Sequence, residues 1–388
     1  MPRFISPNDR LIFIDATRGG AMGLVLLSHF GIIYFAVPGT AGSGLRDAVA
    51  WVTMVASPTF TIISGLLLGF LCTTKQERLE QLREKLWDRG LFLLTVGRAL
   101  ILGAHLLFRG TFRWIFITDA CGVSMLTGAY LAGRLTARKK LALCAAAYMV
   151  SWAAIAWWHP HATWARYVSE GLFGSLGPKV YEHSFPLVPW FSIYLASSVI
   201  GERLGRMYLD GRLHDVPRVL RLGGLTAVTA ACAMSGTAKL VRHVFDIVPQ
   251  DDAVLSVLFG VHQKLPPSPA YVLFFGGIGI LMLSGFCSAE QRHPNGGALK
   301  LASLIGRNSL FVFILQFYVY YVALDRMTLP RSVPWPIYLI ASWAFIIAAT
   351  FAFDRRGFNR FISVGFPRLQ HRVAGLAAAC LPFLTISH

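Results

Sequence analysis

The sequence predicts an all-α fold, a polytopic transmembrane helical bundle of about ten spans with both ends of the ten-helix block in the cytoplasm. Three observations predict it. Of 388 residues, 55% are hydrophobic and only 14% charged, against about 25% charged in a soluble globular domain. Apolar runs recur at the length of about 20 residues that a helix needs to cross a hydrocarbon core about 30 Å thick. Lys and Arg crowd alternate ends of those runs, 24 of the 36 falling on one side. That alternation is the positive-inside bias, and it sets the orientation. The net charge of +17 is therefore a topology signal and not a nucleic-acid footprint.

The expected spans lie near 20–38, 48–71, 91–108, 114–133, 141–158, 186–205, 222–240, 269–289, 301–323 and 336–353. Lipid offers no partner to a free N–H or C=O, so each must be a helix or a barrel strand. Continuous runs of Gly, Ala and Leu lack the alternation of barrel strands and read as helices. Ahead of the first span, residues 1–17 hold Asp9, Asp15 and two prolines where a cleavable signal would be apolar. Between the second and third, TTKQERLEQLREKLWDRG at 73–90 carries Leu79, Leu82 and Leu86 at helical spacing among charges, which predicts an interfacial amphipathic helix. The long outer segments 159–185 and 241–268 mix aromatics, His, Gly and Pro with a few acids, a composition suited to capping a cavity from outside. The apolar stretch of residues 373–386 is short for a span and interrupted by Pro382, so it reads as interfacial or re-entrant. The chain thus forms one domain, residues 1–388: a ten-helix core over 11–353, then a cytoplasmic basic segment and a short apolar helix over 354–388. The six cysteines lie in spans or at their edges without C-x-x-C spacing, and they read as packing residues, neither disulfides nor metal ligands.

Ionisable side chains at membrane depth are costly unless paired or hydrated, which makes each a functional candidate. In RLIFIDATRGGAMGLVLLSHFGIIYF, Asp15 and Arg18 stand at the cytoplasmic mouth of the first span and His29 lies eleven residues beyond Arg18. Eleven residues is close to three turns, so Arg18 and His29 share a face about 16 Å apart. Arg98 and His105 share a face of the third span, with Arg89 just ahead of it. Arg98 is too deep to reach water easily and needs a polar cavity or an acid, for which Asp119 in the fourth span is within reach. Arg307, Asn308 and Ser309 open the ninth span, with Gln316 deeper. Arg18, Arg89 and Arg307 then form a ring at the inner rim, and guanidinium groups bind phosphate as bidentate forks.

These residues resemble a family. R-L-x-x-I-D-x-x-R-G followed by an apolar run to His29, S-P-T-F-x-x-x-S-G-x-x-L-G at 57–69, and I-G-R-N-S-L-x-V-F-I-L-Q at 305–316 are similar to stretches of the membrane-bound acyltransferase superfamily. That superfamily includes the acyltransferase-3 family and the heparan-alpha-glucosaminide N-acetyltransferase-like group. F-P-L-V-P-W at 185–190, G-E-R-L-G-R at 201–206 and L-P-P-S-P at 265–269 are similar to the latter. Gln316 stands where those relatives often carry a histidine. The resemblance implies transfer of an acyl group, in particular acetyl, from acyl-CoA to a hydroxyl or amine of a sugar or glycan on the outer face of the cytoplasmic membrane. Acyl-CoA is then a donor substrate and no cofactor is permanently bound. On this reading His29 is the general base or acyl carrier, Asp15 orients Arg18, and Arg98 stabilises the oxyanion. Arg18, Arg89 and Arg307 bind the phosphates of the donor. A transporter or flippase of a lipid-linked sugar is the alternative, since buried charges also mark substrate paths.

Overall fold

Apolar runs bounded by charged ends fold as helices throughout. The computed structural model describes residues 11–35, 43–109, 113–177, 179–245, 257–327, 334–358 and 362–365. The helices are α1 (Ile12–Tyr34), α2 (Ser43–Thr53), α3 (Ala56–Thr74), α4 (Leu79–Phe92), α5 (Arg98–Arg109), α6 (Ile117–Leu131), α7 (Ala137–Trp157), α8 (Thr163–Leu172), α9 (Leu187–Leu209), α10 (Val216–Phe245), α11 (Pro269–Arg292), α12 (Gly297–Arg307), α13 (Ser309–Gln316) and α14 (Trp335–Arg355). Two-residue strands β1 (Trp114–Ile115) and β2 (His183–Ser184) pair in parallel.

The all-α fold and its several membrane-crossing helices match the expectation. Among the described residues, seven helices are long and apolar enough to span a bilayer, and eight if α12 and the α13 segment count as one span bent by 73°. The remaining two expected spans correspond to α6, which has only 15 residues, and α9. The latter closes on Glu202, Arg203 and Arg206, and its buried side carries Ser192, Ser197 and Ser198. Both are enclosed by other helices, and a helix shielded by protein needs no lipophilic girth.

Three elements differ from the sequence reading. The amphipathic segment 73–90 is not set apart from the third span: α4 runs into α5 through a π-helical stretch, Leu93–Gly97, as one long helix. Leu82 and Leu86 are buried there with Ala129 and Tyr194, so tertiary contact on one face keeps the helix continuous. Span 48–71 is broken into α2 and α3, with Pro58 in the first turn of α3, where a proline costs no helical hydrogen bond. The first span starts at Ile12, placing Asp15 and Arg18 inside the helix. Its early start has a cause, because the Glu290 carboxylate of α11 accepts from Ile12 N at 3.3 Å and Phe13 N at 2.7 Å. Those amides would otherwise lack partners. The segment expected over 373–386 lies outside the described residues.

Glycines set how closely the bundle packs. A Cβ on Gly65 or Gly69 of α3 would collide with the carbonyls of Tyr194 and Ser198 in α9, and one on Gly201 with that of Leu66. This is a two-sided small-residue contact, in which backbones meet directly. Helices α1 and α12 meet in the same way, Gly19 against the Ala302 carbonyl and Gly306 against that of Asp15. α1 also packs against α3 and α13, and the three surround a common interior.

Candidate active site

Within that interior is a cavity of about 440 Å³, inside the range of roughly 300–1,000 Å³ common for small-molecule sites. One end is lined by Arg18 of α1, Arg89 of α4, Arg307 of α12 and Ser309 of α13. His29 and Ser28 of α1, Ser57, Phe60 and Ser64 of α3, Cys121 of α6 and Phe313 of α13 line it further along. Trp114 of β1, His183 of β2, Phe185 and Lys264 line it where the connecting segments cross. The structure thus brings the three expected rim arginines and His29 to a single cavity.

His29 is held from one side. Its Nδ1 lies 2.6 Å from Gln316 Oε1. An amide oxygen only accepts, so Nδ1 carries the proton and Nε2 is left with the lone pair. The rings of Phe317 and Tyr321 stand edge-on to the imidazole at 5.4 and 5.5 Å. Gln316 is fully buried, and it supplies this contact from the position where a histidine was noted in relatives.

The other expected site residues are held by their neighbours. Arg307 donates to Asp354 at 2.5 Å, and Asn308 donates to the same carboxylate at 3.0 Å, which pins the bend between α12 and α13. Arg98 pairs with Asp119, the partner expected for it, and also donates to the Trp114 carbonyl at 3.2 Å. Its guanidinium is outside the cavity lining. A cation at membrane depth needs a carboxylate, and Arg98 meets that need with Asp119, behind the cavity lining. Asp119 also accepts from Phe116 N at 2.9 Å, fixing the start of α6. Asp15 is likewise outside the lining, buried in α1 where Gly306 of α12 rests on its carbonyl. His105 is completely buried, its ring 3.9 Å from that of Trp114.

The connecting segments that precede α9 and α11 form the far wall. β1 and β2 set Trp114 beside His183, and Trp114 Nε1 donates to Glu182 at 3.0 Å. The buried Glu170 of α8 accepts from Val180 N at 2.7 Å and Tyr181 N at 3.3 Å, fixing the approach to β2. Burial lowers the His183 imidazole to about 3, with Lys264 and Lys179 adding to the effect. It therefore stays neutral at neutral pH. Lys264 sits on a segment fastened by Ser268 Oγ donating to Gly260 O at 2.6 Å and Tyr148 Oη donating to Pro267 O at 2.6 Å. Burial lowers its ammonium to about 8. Sequence reasoning missed Lys264, His183 and Trp114. The one available signal was a lone lysine beside L-P-P-S-P in a connecting segment otherwise poor in cations.

A family model described as heparan-alpha-glucosaminide N-acetyltransferase, catalytic, matches residues 10–241, more than half of the chain. No curated protein matches it.

Proposed function

The chain belongs to the heparan-alpha-glucosaminide N-acetyltransferase catalytic family, and from that premise we propose that it is a membrane acetyltransferase acting on a glycan. Acetyl-CoA enters from the cytoplasm, and the acceptor is a hydroxyl or amine of a sugar on the outer face of the cytoplasmic membrane. All ten expected spans cross, including those of α6 and α9, with the N-terminus inside. The observation that carries this reading is the cavity itself, which has three arginines at one end and a histidine with a free Nε2 farther in.

The chemistry follows from those groups. Arg18, Arg89 and Arg307 hold the phosphates of CoA, as charge-assisted forks do. Asp15, one turn before Arg18 on α1, sets the field at that rim. The thioester then reaches His29. Acceptor N or O attacks the carbonyl carbon, His29 Nε2 takes the proton released, and the C–S bond breaks as the new C–N or C–O bond forms. The CoA thiolate leaves toward the cytoplasm and is protonated there. Water is limited by the surrounding Phe313, Phe317 and Tyr321, which strengthens each polar contact.

The test is transfer from radiolabelled acetyl-CoA in membranes. His29→Ala is expected to abolish it, a loss of at least about 10²-fold for a general base, while the protein still inserts. Undiminished transfer by that variant rules His29 out. The bend between α12 and α13 favours a second reading, passage of a lipid-linked sugar through the cavity, since broken helices line transport sites. Substrate counterflow in proteoliposomes without an acyl donor would establish it in place of the first.

A further inference from the structure

Arg18, Arg89, Arg307 and Lys264 line the cavity, and Arg98 stands in its wall. Arg98 has Asp119 and Arg307 has Asp354. Lys264 is different. Its ammonium lies 5.4 Å from the centroid of the Phe185 ring, and among the described residues no carboxylate pairs with it. An ammonium in such surroundings is costly unless charge of the opposite sign visits it. It lines the same cavity as His29 and lies within electrostatic reach of it. The backbone that carries it is fastened at Gly260, Pro267 and Ser268, so the charge is held in place.

We propose that the Lys264 ammonium is the oxyanion-stabilising group of acetyl transfer, a catalytic residue outside the set read from the sequence. The role rests on the acetyltransferase reading. When the acceptor attacks, the carbonyl π electrons move onto oxygen. That oxygen gains a full negative charge, and it returns the pair to carbon as the C–S bond breaks and CoA thiolate departs. Lys264 lends positive charge to this oxygen and neither gains nor loses a proton overall. Arg98, the sequence-based choice for this role, is spent on Asp119 and on the Trp114 carbonyl. A fixed cation of this kind acts only where charge develops, so it lowers the barrier more than it tightens binding.

The groups facing Lys264 keep its titration legible. His183 of β2 remains neutral throughout the neutral and alkaline range, and His29 of α1 uses Nε2 as its basic atom. The ammonium form is the active one, so the rate is present below the lysine's value of about 8 and falls as pH rises through it. Arginine keeps its charge far beyond that range.

The experiment uses full-length protein in lipid nanodiscs, with radiolabelled acetyl-CoA as donor and glucosamine as probe acceptor. Lys264→Met is expected to lower kcat by about 10²–10³-fold, the loss typical of one oxyanion donor, with both KM values within about twofold. Lys264→Arg keeps part of the rate and loses the alkaline limb near pH 8. Comparing it with the wild type on one acceptor cancels the ionisation of the acceptor itself. An undiminished kcat in Lys264→Met, or a loss confined to KM for glucosamine, overturns the role, the latter by making Lys264 a binding group. Acetyl-CoA binding by the variant shows that it is folded. A wild type that binds acetyl-CoA and transfers nothing overturns the acetyltransferase reading, and this role with it.

Discussion

Gln316 decides which nitrogen of His29 is left to serve as the proposed base. Its carbonyl oxygen holds the proton on Nδ1, and Nε2 is left to accept one. Gln316→Leu keeps the bulk and removes the acceptor. With a net hydrogen bond worth about 1 kcal/mol, the expected cost is about fivefold in kcat with KM for acetyl-CoA unchanged. A structural role alone would not alter the tautomer, so ¹⁵N NMR of histidine-labelled protein gives the separate readout. The His29 signal, assigned by its absence in His29→Ala, should move from a single Nδ1–H form to a mixture. If the signal stays put, the orienting role is wrong whatever happens to the rate. At this scale the sequence was informative where charge interrupts apolar runs. Arg18, His29, Arg98 and Arg307 are conspicuous because membranes make them expensive. Lys264 and His183 sit in connections where polar residues are ordinary, and only the folding of 179–185 and 257–268 against the helices makes them cavity walls.

At the scale of elements, apolar length predicted helices well and their interruptions poorly. The π-helical stretch Leu93–Gly97 and the bend at Asn308 leave no mark on hydropathy, since both arise from packing and side-chain contacts. The G-x-x-x-G spacing of Gly65 and Gly69 was legible, but its partner was not. Pairing α3 with α9 joins segments more than a hundred residues apart, and no local signal names the contact. Substitution tests that pairing. Gly201→Ala drives a methyl into the Leu66 carbonyl, where backbone faces backbone and cannot give. The expected destabilisation is about 1–3 kcal/mol, the usual range for overpacking. Gly223→Ala in α10 is the control, since an added Cβ there meets nothing within 4 Å, and helix propensity makes it neutral or stabilising. Thermal unfolding of the two purified variants should diverge; equal melting temperatures would disprove the tight α3–α9 contact.

Across the whole molecule, polarity is arranged along one path. Arginines gather at the end of the cavity formed by α1, α4 and α12, imidazole follows, and Trp114, His183 and Lys264 close the wall built from the connections. The bundle's outer girth is apolar, with Val52, Met149, Leu222 and Ile340 well exposed, as a lipid-facing surface should be. Composition alone foretold this contrast between a greasy exterior and a polar seam. It did not foretell that α6 and α9 are interior posts whose short or polar character is tolerated because other helices shield them.

The carboxylate that completes the start of α1 belongs to residue 290, 278 positions after the amide of Ile12 that it receives. During synthesis the first helix therefore emerges long before its cap exists, and it must wait in the bilayer with bare amides and a buried-to-be aspartate. Its first turn is completed by a late arrival. A nascent chain stopped before Pro269 should accordingly hold α1 loosely, its N-terminal turn reachable by a membrane-impermeant thiol reagent at an engineered Phe13→Cys. The full-length chain should protect the same site. Equal labelling of the two would show that the first helix seats itself unaided. The seating of α1 is thus expected to follow the arrival of α11.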